Sequence, residues 1–136
     1  MQTPLAVVEE MGQRFQAGDR EAAWQLLHPN FRIQQPLSLP HGGWHRGPEG
    51  MIEMAAQFGR HWDRTIDGSR LLDCGDSVVQ VTTQTWTAKA TGKSATVDVV
   101  ELFSFADGLI SEIRVFQQDT HLLLATLTHG GEPPLR

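Results

Sequence analysis

The chain has no tyrosine and one cysteine, Cys74. A lone cysteine has no intrachain disulfide partner, which fits a reducing compartment. Without tyrosine, chemistry that depends on a phenolic proton donor is closed to this protein. Positive charge is also scarce. Eleven Lys and Arg against sixteen Asp and Glu leave a formal net charge of −5, whereas a nucleic-acid partner calls for clustered cations. No apolar run is long enough to span a bilayer. The N-terminus lacks the basic-then-apolar order of a secretion signal, so a cytoplasmic location and no membrane partner are expected. His41, His45 and His61 are the only histidines grouped closely enough to suggest a metal site. The first two lie in a glycine-rich loop without helical register, and surface or capping roles suit them better. The glycines form no phosphate cradle. Neither a metal nor another cofactor is expected.

What the chain does contain is ordinary for a globular protein: 136 residues, 40% hydrophobic and 20% charged, enough for one domain with a real core. Residues 1–136 are read as that single domain, with 128–136 as a loose tail. Two strand-like runs flank Asp107-Gly108, a dipeptide that favours a tight hairpin turn. Alternation puts Val97, Val99, Glu101, Phe103 and Phe105 on one face of the first run. Glu101 is the anomaly in that apolar row. It either lines a cavity, where burial against Val99 and Phe103 raises its pKa, or sits wet at a sheet edge.

Thr3-Pro4 predicts a helix start, with Leu5, Val8, Met11 and Phe15 at helical spacing and Gly18 as its end. Asp19 predicts the cap of a second helix over 20–27, closed by His28-Pro29-Asn30. Phe31 to Gln35 reads as a first strand ended by Pro36. Residues 37–47 read as a loop, carrying Trp44 and His45 either to a functional site or, for Trp44, as a plug in the core. A third helix is predicted from Pro48, with Met51, Met54, Ala55, Phe58 and Trp62 as its apolar stripe. Short and long strands follow at 70–73 and 77–90. On the long strand Gln80, Thr82, Gln84 and Trp86 share a face. A final strand places Ile113, Val115 and Gln117 opposite Arg114, Phe116 and Gln118, and Asp119 is expected to cap a last helical turn. Helices first, then antiparallel strands, is the α+β order.

These elements and their order resemble the NTF2-like superfamily in its SnoaL-like branch, related to polyketide cyclases and ketosteroid isomerase. The residues that carry the resemblance are Gly18-Asp19, Phe31 to Pro36, Gly47-Pro48-Glu49-Gly50, Asp107-Gly108-Leu109-Ile110 and Asp119-Thr120. It implies a cone: a curved, mostly antiparallel sheet with three N-terminal helices on its concave face. It further implies that Gln35, Trp44, His45, Phe58, Thr82, Gln84, Trp86, Val99, Phe103, Val115 and Gln117 line a pocket. The outer sheet face, with Val81, Val100, Leu102 and Phe116, would form a homodimer, and Arg114 would pair with Asp98 there.

Within that branch, Val97-Asp98-Val99-Val100-Glu101 is similar to the ketosteroid isomerase strand whose last acid is a protonated oxyanion donor. The isomerase base precedes the proline ending the first strand, where this chain has Gln35, and the isomerase tyrosine is missing. The resemblance therefore implies a pocket for a small, apolar, partly oxygenated molecule. One reading is an isomerase- or cyclase-type enzyme doing acid/base chemistry on an enolisable carbonyl compound, with Glu101 as the acid/base and a histidine (His28, His41 or His45) as second proton carrier. Another is a binding protein with no chemistry. A third, similar to limonene-epoxide hydrolase, needs an inward arginine between carboxylates, and alternation turns Arg114 outward.

Overall fold

A computed structural model describes residues 2–129; most of the tail expected at 128–136 lies outside them. Helix α1 (Pro4–Gln16) starts where Thr3 accepts a hydrogen bond from the Ala6 amide, with proline in its first turn. Helix α2 (Arg20–Trp24) is capped in the same way by Asp19. It ends three residues earlier than the spacing predicts, because strand β1 (Leu27–Gln35) already begins at Leu27 and runs through His28-Pro29-Asn30. The chain turns at Gly42, where a Cβ would lie 2.4 Å from the Pro36 carbonyl oxygen, and pairs back as a short strand β2 (Gly43–Arg46). Helix α3 (Gly47–Gly59) follows directly.

Four strands complete the sheet: β3 (Trp62–Asp73), β4 (Val78–Ala88), β5 (Ser94–Ala106) and β6 (Leu109–Gln117). Their order is β2-β1-β6-β5-β4-β3, antiparallel throughout except that β1 runs parallel to β6. Asp107 and Gly108 form the two-residue β5–β6 turn, both with positive φ (55° and 76°), as the mirror-image hairpin turn requires. Helix α4 (Thr120–Ala125) is capped by Asp119, whose carboxylate accepts from the Leu122 amide. This is the expected α+β architecture of a curved open sheet with helices on its concave side. No helix among the described residues is long and apolar enough to cross a membrane.

The largest departure from the sequence reading is β3. Trp62 was expected on the last turn of α3 and the strand only at Arg70. The strand instead starts at Trp62 and runs twelve residues, passing Asp67-Gly68 as a bulge in register rather than as a turn. Pairing with β4 along its whole length outweighs the local turn preference of Asp-Gly. Residues 63–70 of this edge strand are exposed.

Alternation then sorts the sheet into two faces. Val78, Thr82, Gln84, Trp86, Val97, Val99, Phe103, Ile113 and Val115 are buried on the concave face, where Val7, Val8 and Met11 of α1 complete the core. On the outer face, Arg114 and Asp98 are both present but not paired with each other. Arg114 donates to Gln34 and lies over the Phe116 ring, while Asp98 accepts from Thr83.

Trp62 also anchors α4. Its buried indole N–H donates to Thr126 Oγ1 at 2.8 Å, and that hydroxyl donates on to the Leu123 carbonyl at 2.6 Å. Thr126→Val keeps the shape but leaves the indole N–H without an acceptor. The substitution is expected to lower the unfolding free energy by about 1–3 kcal/mol, read from urea denaturation. Equal midpoints for the two proteins would count against this role.

Candidate active site

The concave face carries its polar groups in rows set by strand register. Glu101 of β5 pairs across to Val115 of β6 on one side and Gln80 of β4 on the other. The next row holds Gln117, Val99 and Thr82. The row after that pairs Val97 with Gln84 and Ile66, and the last pairs Trp86 with Arg64. Gln35, at the end of β1, lines the same cleft as Val115 and Gln117.

Three of these residues form a hydrogen-bonded ladder whose polarity is fixed by chemistry. The Trp86 indole N–H is a donor only, so Gln84 must present Oε1 to it, at 2.9 Å. The amide nitrogen of Gln84 then points the other way and donates to Thr82 Oγ1 at 2.8 Å. Thr82 is thus an acceptor within the ladder, and its own hydroxyl proton has no partner among the described residues. All three side chains are buried. The ladder ends in a donor one row from Glu101.

Over Trp86 sits an aromatic cluster. Phe58 of α3 meets it edge-on at 4.8 Å, Trp62 at 5.0 Å and the His41 ring at 5.9 Å. His41 comes from the β1–β2 loop, is 3% exposed, and packs T-shaped on Phe58 at 5.3 Å. Its carbonyl accepts from His45 Nε2 at 2.8 Å, which ties the loop down. Burial first, and then the neighbouring His45, Arg64 and His61, lower its pKa to about 4. Its Nδ1 has no hydrogen-bond partner among the described residues.

Glu101 makes no hydrogen bond or ion pair among the described residues. It is half-buried by surface area, yet protein surrounds its carboxyl group and desolvation raises its pKa above the ordinary carboxylate value. The Arg64 guanidinium opposes that shift. Arg64 shows the same combination more strongly. It is exposed, yet desolvation lowers its pKa while Glu101 acts to raise it. Its guanidinium carbon stands 5.4 Å from the Phe58 ring centroid.

The sequence-derived set is thus only partly brought together. Gln35, Phe58, Thr82, Gln84, Trp86, Val99, Glu101, Phe103, Val115 and Gln117 all belong to the concave side. The floor around Thr82, Gln84, Trp86 and Val99 is packed closed rather than open, because His41 and Phe58 cover Trp86. A cleft of about 330 Å³ adjoins it at the ends of β1 and β6, lined by Gln35, Val115, Gln117 and Thr120 among others. Gln35 donates to Met54 Sδ at 3.3 Å, and the side-chain oxygens of Gln35 and Gln117 are buried without donors. A larger surface cleft, about 430 Å³ beside the Asp107-Gly108 turn, holds none of these groups.

Trp44 neither plugs the core nor enters the site. It pairs in register with Gln34 on the outer side of β2 and stacks under the Arg32 guanidinium at 4.1 Å. His45 faces inward, where it positions His41. His28 contacts Asp107 at the opposite end of the sheet. No group of three or more His, Cys, Asp or Glu among the described residues is placed to hold a metal ion. Arg64 and Trp62 were missed as site residues because 62–69 was not read as strand. Extending the alternation of β3 back to Trp62 puts both on the inner face.

His41 gives the fold a pH dependence of known sign. Folded His41 stays neutral down to about pH 4, whereas the unfolded imidazole protonates near 6.5. Between those values the unfolded state binds more protons, so stability falls as pH drops, by up to about 3 kcal/mol. His41→Phe, which keeps a ring in the cluster, is expected to flatten the pH–stability curve between 6.5 and 4.5 relative to wild type. Parallel curves would show that His41 does not titrate with folding.

Comparison with known proteins agrees with this architecture. A family model for the SnoaL-like domain matches residues 8–113. An NTF2-like protein from Burkholderia thailandensis superposes with a TM-score of 0.85 at 25% identity, covering 94% of this chain and 99% of its own. TerC, co-crystallised with polyporic acid, superposes at 0.77 with 22% identity, covering 91% and 96%. A candidate polyketide cyclase from Pseudomonas putida superposes at 0.74 with 14% identity, covering 94% and 100%. No curated protein sequence matches the chain. With the family model spanning all but the chain's ends and the sheet order in place, the chain belongs to the SnoaL-like family of the NTF2-like fold.

Proposed function

We propose that this protein is a small-molecule enzyme of the isomerase or cyclase type, working by acid/base chemistry on an enolisable carbonyl compound. The observation that carries this reading is Glu101, an unpaired carboxyl group on the concave face whose pKa burial raises. A carboxyl group moved toward neutrality suits proton transfer at working pH. Glu101 would move the proton at the carbon next to the carbonyl. The Thr82 hydroxyl at the end of the Trp86–Gln84 ladder, buried one row from Glu101, would turn a dipole toward that carboxyl group without touching the substrate. His41 replaces His28 and His45 as the candidate second group, since it is buried, neutral and has an unpartnered nitrogen. As its pKa is about 4, it serves better as a hydrogen-bond partner than as a strong base. The epoxide-hydrolase alternative meets an inward arginine in Arg64, but among the described residues Glu101 is the one carboxylate whose charge acts on it, and that mechanism requires two.

A non-catalytic binding role is the second reading. Gln35 stands where related isomerases carry their base, and a glutamine accepts no proton at neutral pH. In either case we assign the work to one domain in the cytoplasm, acting as a homodimer through the outer sheet face. Phe116 is 47% exposed there and Val81, Val100 and Leu102 are only half-buried, a patch suited to a second copy.

Hydrogen–deuterium exchange next to a ketone carbonyl separates the two readings. Simple aryl alkyl ketones incubated in D₂O with wild type are expected to exchange faster than in buffer, followed by NMR. Glu101→Gln should lower the enzyme-dependent rate by about 10²–10⁴-fold. Undiminished exchange in the variant would remove Glu101 from the chemistry, and no exchange above buffer would favour the binding role. The variant also tests the carboxyl environment independently. Because folded Glu101 holds its proton to higher pH than the unfolded group, wild-type stability falls as pH rises from the ordinary carboxylate value through the raised one. Glu101→Gln should be the more stable protein at pH 8.

A further inference from the structure

Arg64 is an arginine in the wrong place for a merely solvated side chain. On the same strand, Arg70 pairs in register with Val81 and lies on the outer face, free in water. Arg64 pairs with Trp86 and lies on the inner face. Its guanidinium makes no hydrogen bond or ion pair among the described residues, and it lies over the Phe58 ring. A cation–π contact uses none of the five N–H donors, so all of them stay available.

Apolar surface is left uncovered on both elements near Arg64. Ile66, two residues along the same inner row of β3, is 55% exposed although register turns it toward the concave side. Helix α3 has no fully buried residue, and Phe58, which meets the Arg64 guanidinium, is only partly covered. One guanidinium without a hydrogen-bond partner among the described residues thus stands beside apolar side chains of α3 and β3. Glu101 does not neutralise it by contact, since no N–O approach within ion-pair distance joins the two among the described residues. The guanidinium therefore meets no neutralising ion pair among the described residues, in a protein whose net charge is −5.

We propose that Arg64, standing between Phe58 of α3 and Ile66 of β3, is an anion-recognition group that holds the acidic oxygens of an aromatic carboxylate or ionised enol. Phe58 and Ile66 pack against its apolar body. A carboxylate takes two parallel N–H bonds from one guanidinium, and the match is stronger where water is partly excluded. The inference rests on the concave side being a small-molecule site, and adds that its ligand is acidic.

The test pairs two probes of one shape: 2-naphthoate and its neutral amide, 2-naphthamide, titrated calorimetrically at pH 7. Wild type should bind naphthoate at least tenfold more tightly than the amide. Arg64→Met should bind the two equally, with amide affinity unchanged, and Arg64→Lys should keep part of the preference. Arg64→Gln serves in place of the methionine variant if that protein is not folded by circular dichroism. Equal affinities in wild type, or a naphthoate preference that survives loss of the guanidinium, would overturn the role of Arg64 and leave the small-molecule reading intact. Binding of neither probe to wild type would overturn both.

Discussion

The packing of the Trp86 ring organises the inner face of this protein. The indole is too large to be buried by the sheet alone, so α3 supplies Phe58, β3 supplies Trp62 and the β1–β2 loop supplies His41 to cover it. Its N–H, once buried, must be satisfied. The only direction open to that bond runs along β4 to Gln84, and from there to Thr82. A single donor-only group therefore dictates the orientation of two further polar side chains and leaves a hydroxyl proton directed beyond the ladder. The helices, the loop and the polarity of the site all answer to one buried ring.

That arrangement also explains why the inner face holds charge in an unusual state. The cover over Trp86 buries His41 and brings Phe58 against the Arg64 guanidinium, while Glu101 is desolvated further along β5. Three titratable groups on one concave surface are all displaced from their ordinary pKa values by the same cause, desolvation, and in each case toward the neutral form. Structural ion pairs would have shifted a carboxylate downward. The direction at Glu101 is the opposite, as burial without a salt-bridge partner requires.

The inner face draws its polar groups from distant parts of the chain. Gln35 of β1 donates its amide to Met54, and its side-chain oxygen is buried without a donor among the described residues. Arg64 enters from β3, toward the other end of the sheet, and His41 enters from the β1–β2 loop to pack on Trp86 and Phe58.

What could be read from the sequence was whatever repeats with a local period. Two-residue alternation grouped Thr82, Gln84 and Trp86 within β4, Val99 and Glu101 within β5, and Val115 and Gln117 within β6; the family resemblance set these groups on one concave face, and strand register keeps them on one face. The Asp107-Gly108 turn and the caps at Thr3, Asp19 and Asp119 were equally legible, because each depends on a few adjacent residues. Tertiary contacts decided the rest. Pairing along the whole of β4 turned 62–69 into strand against its local turn signal and brought Arg64 inside. A four-residue strand pairing carried Trp44 outward to Arg32, and loop packing sealed His41 against Trp86. Those outcomes depend on residues far apart in the chain meeting across the sheet, and such meetings leave no periodic mark in the sequence.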